Sequence, residues 1–344
     1  MIDFKETTLS NCIVHKVDNK VRKGNIKLSD SEIALDDELS KQLTQFFLKP
    51  FRGLNDTYCF YHDIDLKMNE VFTCADNIFE NENFVKNSKS IAKHLYEQTR
   101  HPSIKDGEVF IALLGDVIFE KTIGKAIGIF KSESKDNFFK LKESNKGIQL
   151  IIDKGISQQR IDKGCLILHD DYHKGFKVFT YEHGGADTDY WRNDFLSIKS
   201  REDNYFLTKN YLSLCREFSV NVPDEFELNK VEKIDLLNRS IEYFKANDKF
   251  EKKEFEKSVI ADKELIKSFR KYDVVFNESN GFKLMDAFDI SSLAVKKQTK
   301  VFKSILKLDK NFHIYIHGNK ELIERGYDKS KDMNYYKVYF NNEE

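Results

Sequence analysis

The chain has 344 residues, with 56 basic and 57 acidic side chains and a formal net charge of −1. Hydrophobic residues make up 40% and charged residues 33%, which excludes a disordered chain and fits a folded globular one. A uniformly basic, histone-like protein is excluded as well, so any affinity for nucleic acid must come from charge gathered on one surface.

In chain order, residues 1–6 (MIDFKE) lack the apolar core of a secretory signal, and runs such as 109–114 are far too short to span a membrane. A cytosolic location is therefore expected. Cys12, Cys59, Cys74, Cys165 and Cys215 are scattered with no C-x-x-C pair, which suits buried free thiols better than a disulfide framework. Residues 13–17 (IVHKV) read as a strand, and 36–48 as a helix ending before Pro50. Asn87 or Ser88 is placed to cap a helix whose apolar face includes Ile91 and Leu95. Short β-prone runs follow at 109–114, 126–130, 138–141 and 148–152, separated by Gly, Asn, Asp and Ser, the pattern of antiparallel strands. Residues 165–168 and 176–181 predict a hairpin around 169–175 (HDDYHKG).

Past residue 203 the hydrophobic period changes to that of a helix. Leu207, Tyr211, Leu214 and Phe218 form one stripe, Ile234, Leu237, Ile241 and Phe244 a second, and Leu265, Phe269, Tyr272 and Phe276 a third. Asp203 and Asp262 are placed as caps. Residues 224–256 hold ten acids and seven bases, an acidic face. Toward the end, 301–308 and 312–317 read as strands around a short turn, 321–325 as a helical turn and 335–340 as a final strand. The expected fold is α+β: a mainly antiparallel sheet with helices over 1–203, a helical segment over 204–280, and a small α/β unit over 281–344.

The clearest charge feature lies in that last unit. Residues 291–320 contain Lys296, Lys297, Lys300, Lys303, Lys307, Lys310 and Lys320 against one acid, Asp309. On a helix, Lys296, Lys300, Lys303 and Lys307 would form one stripe; on a strand from Val301, Lys303 and Lys307 would still share a face. Lysines so spaced neutralise phosphates without reading bases. Of the aromatic residues nearby, Phe302 and Phe312 pattern with Ile314 and Ile316 as a core face, whereas Tyr315 shares its face with His313 and His317 and is expected to be exposed. A second basic group, Lys16, Lys20, Arg22, Lys23 and Lys27, is an alternative surface.

His169, Asp170, Asp171 and His173, with His183 and Asp187 further on, are a candidate divalent-metal cluster and would suit a metal-dependent nuclease. Adjacent carboxylates in a polar loop are more often turn formers. No Walker A, H-E-x-x-H, G-x-S-x-G or G-x-G-x-x-G pattern occurs, so no catalysis and no metal or cofactor are expected. The only Trp lies in Asp189-Tyr190-Trp191-Arg192-Asn193-Asp194-Phe195-Leu196, expected to be a packed anchor. A protein-interaction adaptor using the acidic helical face is a third reading.

The segments 13–17 (IVHKV), 107–114 (GEVFIALL), 147–168 (GIQLIIDKGISQQRIDKGCLIL), 190–196 (YWRNDFL), 234–240 (IDLLNRS) and 294–318 (AVKKQTKVFKSILKLDKNFHIYIHG) occur in an order and spacing that resembles the bacterial nucleoid-associated NdpA family, in its Bacteroidetes-type form. The resemblance spans about residues 9–340. It implies a cytoplasmic, nucleoid location and binding to double-stranded DNA, with single-stranded RNA and topoisomerase as further partners. A phage-defence complex is another partner open to the adaptor reading. The family supplies no catalytic residues to carry over. Oligomeric state is not given by the sequence, a homodimer being one option.

Overall fold

The computed structural model describes residues 2–120, 122–144, 147–184, 189–223, 226–301, 305–308, 310, 312–316 and 322–342. The chain divides into two compact units, 1–201 and 202–344, and its fold is α+β.

In chain order the first unit comprises β1 (Ile2–Asp3), β2 (Thr8–Val17), β3 (Ile26–Lys27), α1 (Asp37–Leu48), β4 (Tyr58–Phe60), α2 (Glu70–Phe79), α3 (Phe84–Glu97), β5 (Gly107–Phe119), β6 (Thr122–Ser132), β7 (Lys135–Ser144), β8 (Gly147–Ile156), β9 (Lys163–Leu168), β10 (Lys177–Glu182) and β11 (Ile198–Ser200). An antiparallel sheet runs β11-β4-β10-β9-β6-β5-β2-β3, with β1 also on β5; β7 and β8 pair only with each other. Both faces of the sheet are covered, which is why its strands are apolar at nearly every position rather than at alternate ones. On β5, Val109 and Ile111 point to a core shared with α2, α3 and Trp191, while Phe110, Ala112 and Leu114 point to a core shared with Phe47 and Phe51 from α1 and the turn after it. Phe130 stacks on Phe47 at 4.3 Å between ring centroids, and its own ring lies over Gly128, where an added Cβ would come within 2.2 Å of it. A side chain at 128 would evict that ring.

Trp191 is fully buried 4.8 Å from Phe195, within a π-helical stretch (Tyr190–Leu196), so the expected anchor is present. Arg192 reaches toward Glu182 at 3.9 Å. The cap of α3 differs from expectation. Asn83 accepts from the backbone of Lys86, and Asn87 and Ser88 are buried inside the helix. They serve tertiary structure instead: Asn77 donates to Asn87, and Ser88 Oγ lies 3.1 Å from His15 Nε2 on β2. All five cysteines are free and buried. Burial pushes the Cys74 thiol up to about 11 and that of Cys12 up to about 12.

The second unit contains α4 (Asn204–Asn221), α5 (Lys230–Ala246), β12 (Lys249–Glu251), α6 (Lys252–Phe255), α7 (Lys263–Asn280), β13 (Ala287–Asp289), α8 (Ser292–Val301) and the antiparallel hairpins β14 (Ile305–Leu308) with β15 (Phe312–Tyr315) and β16 (Ile323–Asp328) with β17 (Met333–Val338). Asp203 and Asp262 cap α4 and α7 as the sequence indicates, and Asn229 with Glu232 forms a capping box on α5. The three stripes converge on an aromatic core in which Phe250 of β12 faces Phe288 of β13, and Tyr211 of α4 lies 4.1 Å from Phe250. Leu284, Phe288 and Val295 belong to that core, so residues on both sides of position 280 share it. Residues 323–325, expected in a helical turn, instead begin β16, paired with β17. Among the described residues no helix is long and apolar enough to cross a membrane.

Candidate nucleic-acid interface

The lysine-rich stretch does not form one continuous element. Helix α8 ends at Val301, where a strand was expected to begin, and β14 begins at Ile305, so of the two expected geometries Lys296 and Lys300 take the helical one and Lys307 lies on a strand. Lys303 and Lys320 lie outside the described residues, as do Phe302, Asp309 and His317. On α8, Ala294 and Val295 are buried while Lys296, Lys297 and Lys300 are exposed. Lys296 and Lys300 are one turn apart, about 6 Å along the axis, and both border a cavity of about 420 Å³ also lined by Lys245 and Asp248.

On the hairpin, strand register sorts the side chains. Leu306 pairs with Ile314 and Leu308 with Phe312, and Leu306 is buried against Val231 and Ile234 of α5. The opposite face presents Lys307 directly across from His313, with Tyr315 two residues further along and 59% exposed. Lys310, between the strands, is exposed too. Tyr315 is thus exposed as expected. Phe312 is not the core residue that its pattern suggested: it sits at the hairpin end and is 65% exposed. Ile316 is buried, and its carbonyl accepts from Asn238 of α5.

Helix α5 therefore carries both basic elements. Its first half holds the hairpin through Val231, Ile234 and Asn238, and its end meets α8 around Phe244 and Lys245. Seventeen residues make this platform about 25 Å long. Lys245 is the site residue that sequence reasoning missed. It sits in the acidic stretch and pairs with Glu242 at 2.7 Å, and nothing local announces that α8 will lie beside it. Some acids of that stretch are engaged: Asp235 with Arg239, and Glu256, buried, with Arg270 through two bonds of 2.8 and 2.6 Å.

Pairing separates the two basic groups in part, for among the described residues Lys23 and Lys27 of the first group form no ion pair either. Among the described residues, no carboxylate forms an ion pair with Lys296, Lys300, Lys307 or Lys310, whereas in the first unit Lys16 pairs with Asp18, Lys20 with Glu97 and Arg22 with Asp106.

The histidine–carboxylate cluster is dispersed among other tasks. His169 stacks on Phe79 at 4.4 Å, Asp170 lies 3.2 Å from Lys177, and Asp171 pairs with Arg201, which holds its carboxyl below the usual range. His173 packs edge-on to Tyr172, and His183 lies 3.3 Å from both Arg160 and the Tyr181 hydroxyl. Asp187 lies outside the described residues. Among the described residues no group of three or more His, Cys, Asp or Glu is placed to hold a metal ion.

No curated protein matches the chain. The family model described as nucleoid-associated protein YejK, however, matches residues 13–333, across both units and through the lysine-bearing elements, and on that match the chain belongs to the nucleoid-associated protein YejK family.

Proposed function

We propose that this nucleoid-associated protein binds duplex DNA through phosphate neutralisation, without reading sequence and without chemistry on the nucleic acid. The observation that carries the proposal is that, among the described residues, no carboxylate forms an ion pair with Lys296, Lys300, Lys307 or Lys310, in a chain whose net charge is −1. A cation already held by a carboxylate gains little by exchanging it for a phosphate, whereas an unpaired one releases the counterions condensed on DNA. Exposed Lys297 adds to the same surface, and Lys303 and Lys320 extend it in sequence. His313 and Tyr315 supply hydrogen-bonding and stacking groups beside Lys307, which would also admit an unpaired strand, RNA included. The site thus belongs in the nucleoid.

The test is duplex binding across a salt series, with and without Mg²⁺. Log affinity should fall linearly with log salt, and changing Lys296, Lys300, Lys307 and Lys310 together to Gln should flatten the slope by about 3–4 units. The loss should be alike on unrelated sequences, because phosphate contacts position and do not specify. Plasmid should stay intact with Mg²⁺. A quadruple variant with an unaltered slope places the DNA surface elsewhere, and cleavage abolished by Asp170→Ala with Asp171→Ala makes the protein a nuclease.

A further inference from the structure

Strands β7 and β8 leave the main sheet and pair only with each other, from Lys135 opposite Ile156 to Ser144 opposite Gly147. Opposed residues of an antiparallel pair share a face, so the register sorts this ribbon into two unlike sides. One side is mixed: Phe138 opposes Asp153, Lys140 opposes Ile151 and Lys142 opposes Gln149, with Lys140 and Asp153 3.7 Å apart. The other places Phe139 opposite Ile152, Leu141 opposite Leu150, and Ile148 opposite Glu143. Its five apolar residues are 63–73% exposed. A two-stranded ribbon is marginal in water on its own, and these exposures leave roughly 600 Å² of apolar surface, the upper end of what a monomer shows.

The apolar side continues toward the root. Beyond Lys154 the next residue on it is Ile156, half-buried, which lines a cavity of about 420 Å³ together with Leu39, Leu43 and Phe46 of α1 and Phe110 of β5.

We propose that this side is a dimer seam and that its occupant is a second copy of the chain. The two ribbons pack face to face across a two-fold axis with their strands crossing tip to root. Three features select that partner. Two copies bury about 1,200 Å², which reaches the range of stable specific interfaces before the cavity is filled. The side is self-complementary, as a two-fold contact requires: its acid, Glu143, is at the tip and its base Lys154 near the root, Lys135 beyond it being held by Glu108, so Glu143 and Lys154 each meet the other's opposite charge. The apolar tip residue Ile148 likewise arrives at the partner's root cavity. Nothing in this seam draws on the DNA surface of the second unit.

Sedimentation of the full chain across a concentration series tests this. Wild type should run at twice the chain mass, and Leu141→Lys with Ile152→Lys should raise the dissociation constant at least about a hundredfold by placing charges in the seam. At a dilution where both proteins are monomeric the melting temperature should not differ, since both side chains are exposed in the single chain. Glu143→Lys should weaken the dimer, and adding Lys154→Glu should restore it, a readout that survives if the lysine pair fails to fold. Wild type that stays monomeric overturns the proposal, including the case in which it instead sediments with phospholipid vesicles. So does a dimer indifferent to the lysine pair, or a charge swap that fails to restore.

Discussion

Two Lys-rich stretches of similar appearance, 16–27 and 296–310, meet opposite fates. In the first unit three of the five cations are built into the structure: Lys16, Lys20 and Arg22 each hold a carboxylate, and Arg22 also donates to the Ile104 carbonyl. Deeper in that unit Lys131 is fully buried, bonded at 2.8 Å to Glu133 and at 2.6 Å to the Lys105 carbonyl. Burial lowers its tendency to stay charged, and Glu133 opposes that. In the second unit, among the described residues, no carboxylate pairs with Lys296, Lys300, Lys307 or Lys310. A count of charges along the chain reports neither outcome. Whether a lysine is held by the fold or left available is decided by the carboxylate folded beside it.

Breaking the built-in side of this comparison should cost the most. Glu133→Ala strands the Lys131 ammonium and should lower unfolding free energy by about 3 kcal/mol, measured by denaturant titration, while the salt slope for DNA stays as in wild type. A slope that flattens with it would join the two classes of cation. The quadruple glutamine variant is the mirror experiment: stability should hold within about 0.5 kcal/mol while the slope falls.

Next comes pH. His15 is buried against Ser88, and desolvation first, then Lys89, lowers its pKa from 6.5 to about 4. The unfolded chain therefore binds a proton that the folded one refuses between those values. Stability is complete above pH 6.5 and falls as pH drops toward 4, by about 3 kcal/mol in total. His15→Gln should remove most of that slope. A melt equally acid-sensitive without the imidazole would contradict this.

The smallest effect is expected from Lys16, Lys20 and Arg22 changed together to Gln. Exposed ion pairs contribute from nothing to about 1 kcal/mol each, and the DNA salt slope should shift by less than about one unit. A slope flattened by three units would move the DNA surface to the first unit and dissolve the contrast.

Much of the architecture was legible in the sequence. The runs at 13–17, 109–114 and 126–130 are strands, and Asp203 and Asp262 are caps, because these follow from local pattern and backbone chemistry. What local pattern misses is long-range. Asn87 and Ser88 resemble caps, yet their partners are Asn77 and the distant His15. The runs at 138–141 and 148–152 are antiparallel strands as read, yet among the described residues they pair with each other and not with the main sheet, which local pattern does not tell. Of the lysine patch, the sequence gives the charge but not the break after Val301, nor Lys245 brought alongside by the packing of α5 on α8.

The main sheet ends bluntly. Its terminal strands, β3 and β11, have two and three residues, and beyond β3 the exposed side of β2 stays covered, with Ile33 donating to the Cys12 carbonyl and Ser29 to that of Val14. Little free backbone remains for another chain to extend. Where copies of the chain reach high local concentration, such a sheet resists runaway strand-by-strand growth into fibres. Contacts made through this sheet must then be made by side chains, whose shapes and charges can be matched to one partner and stop there.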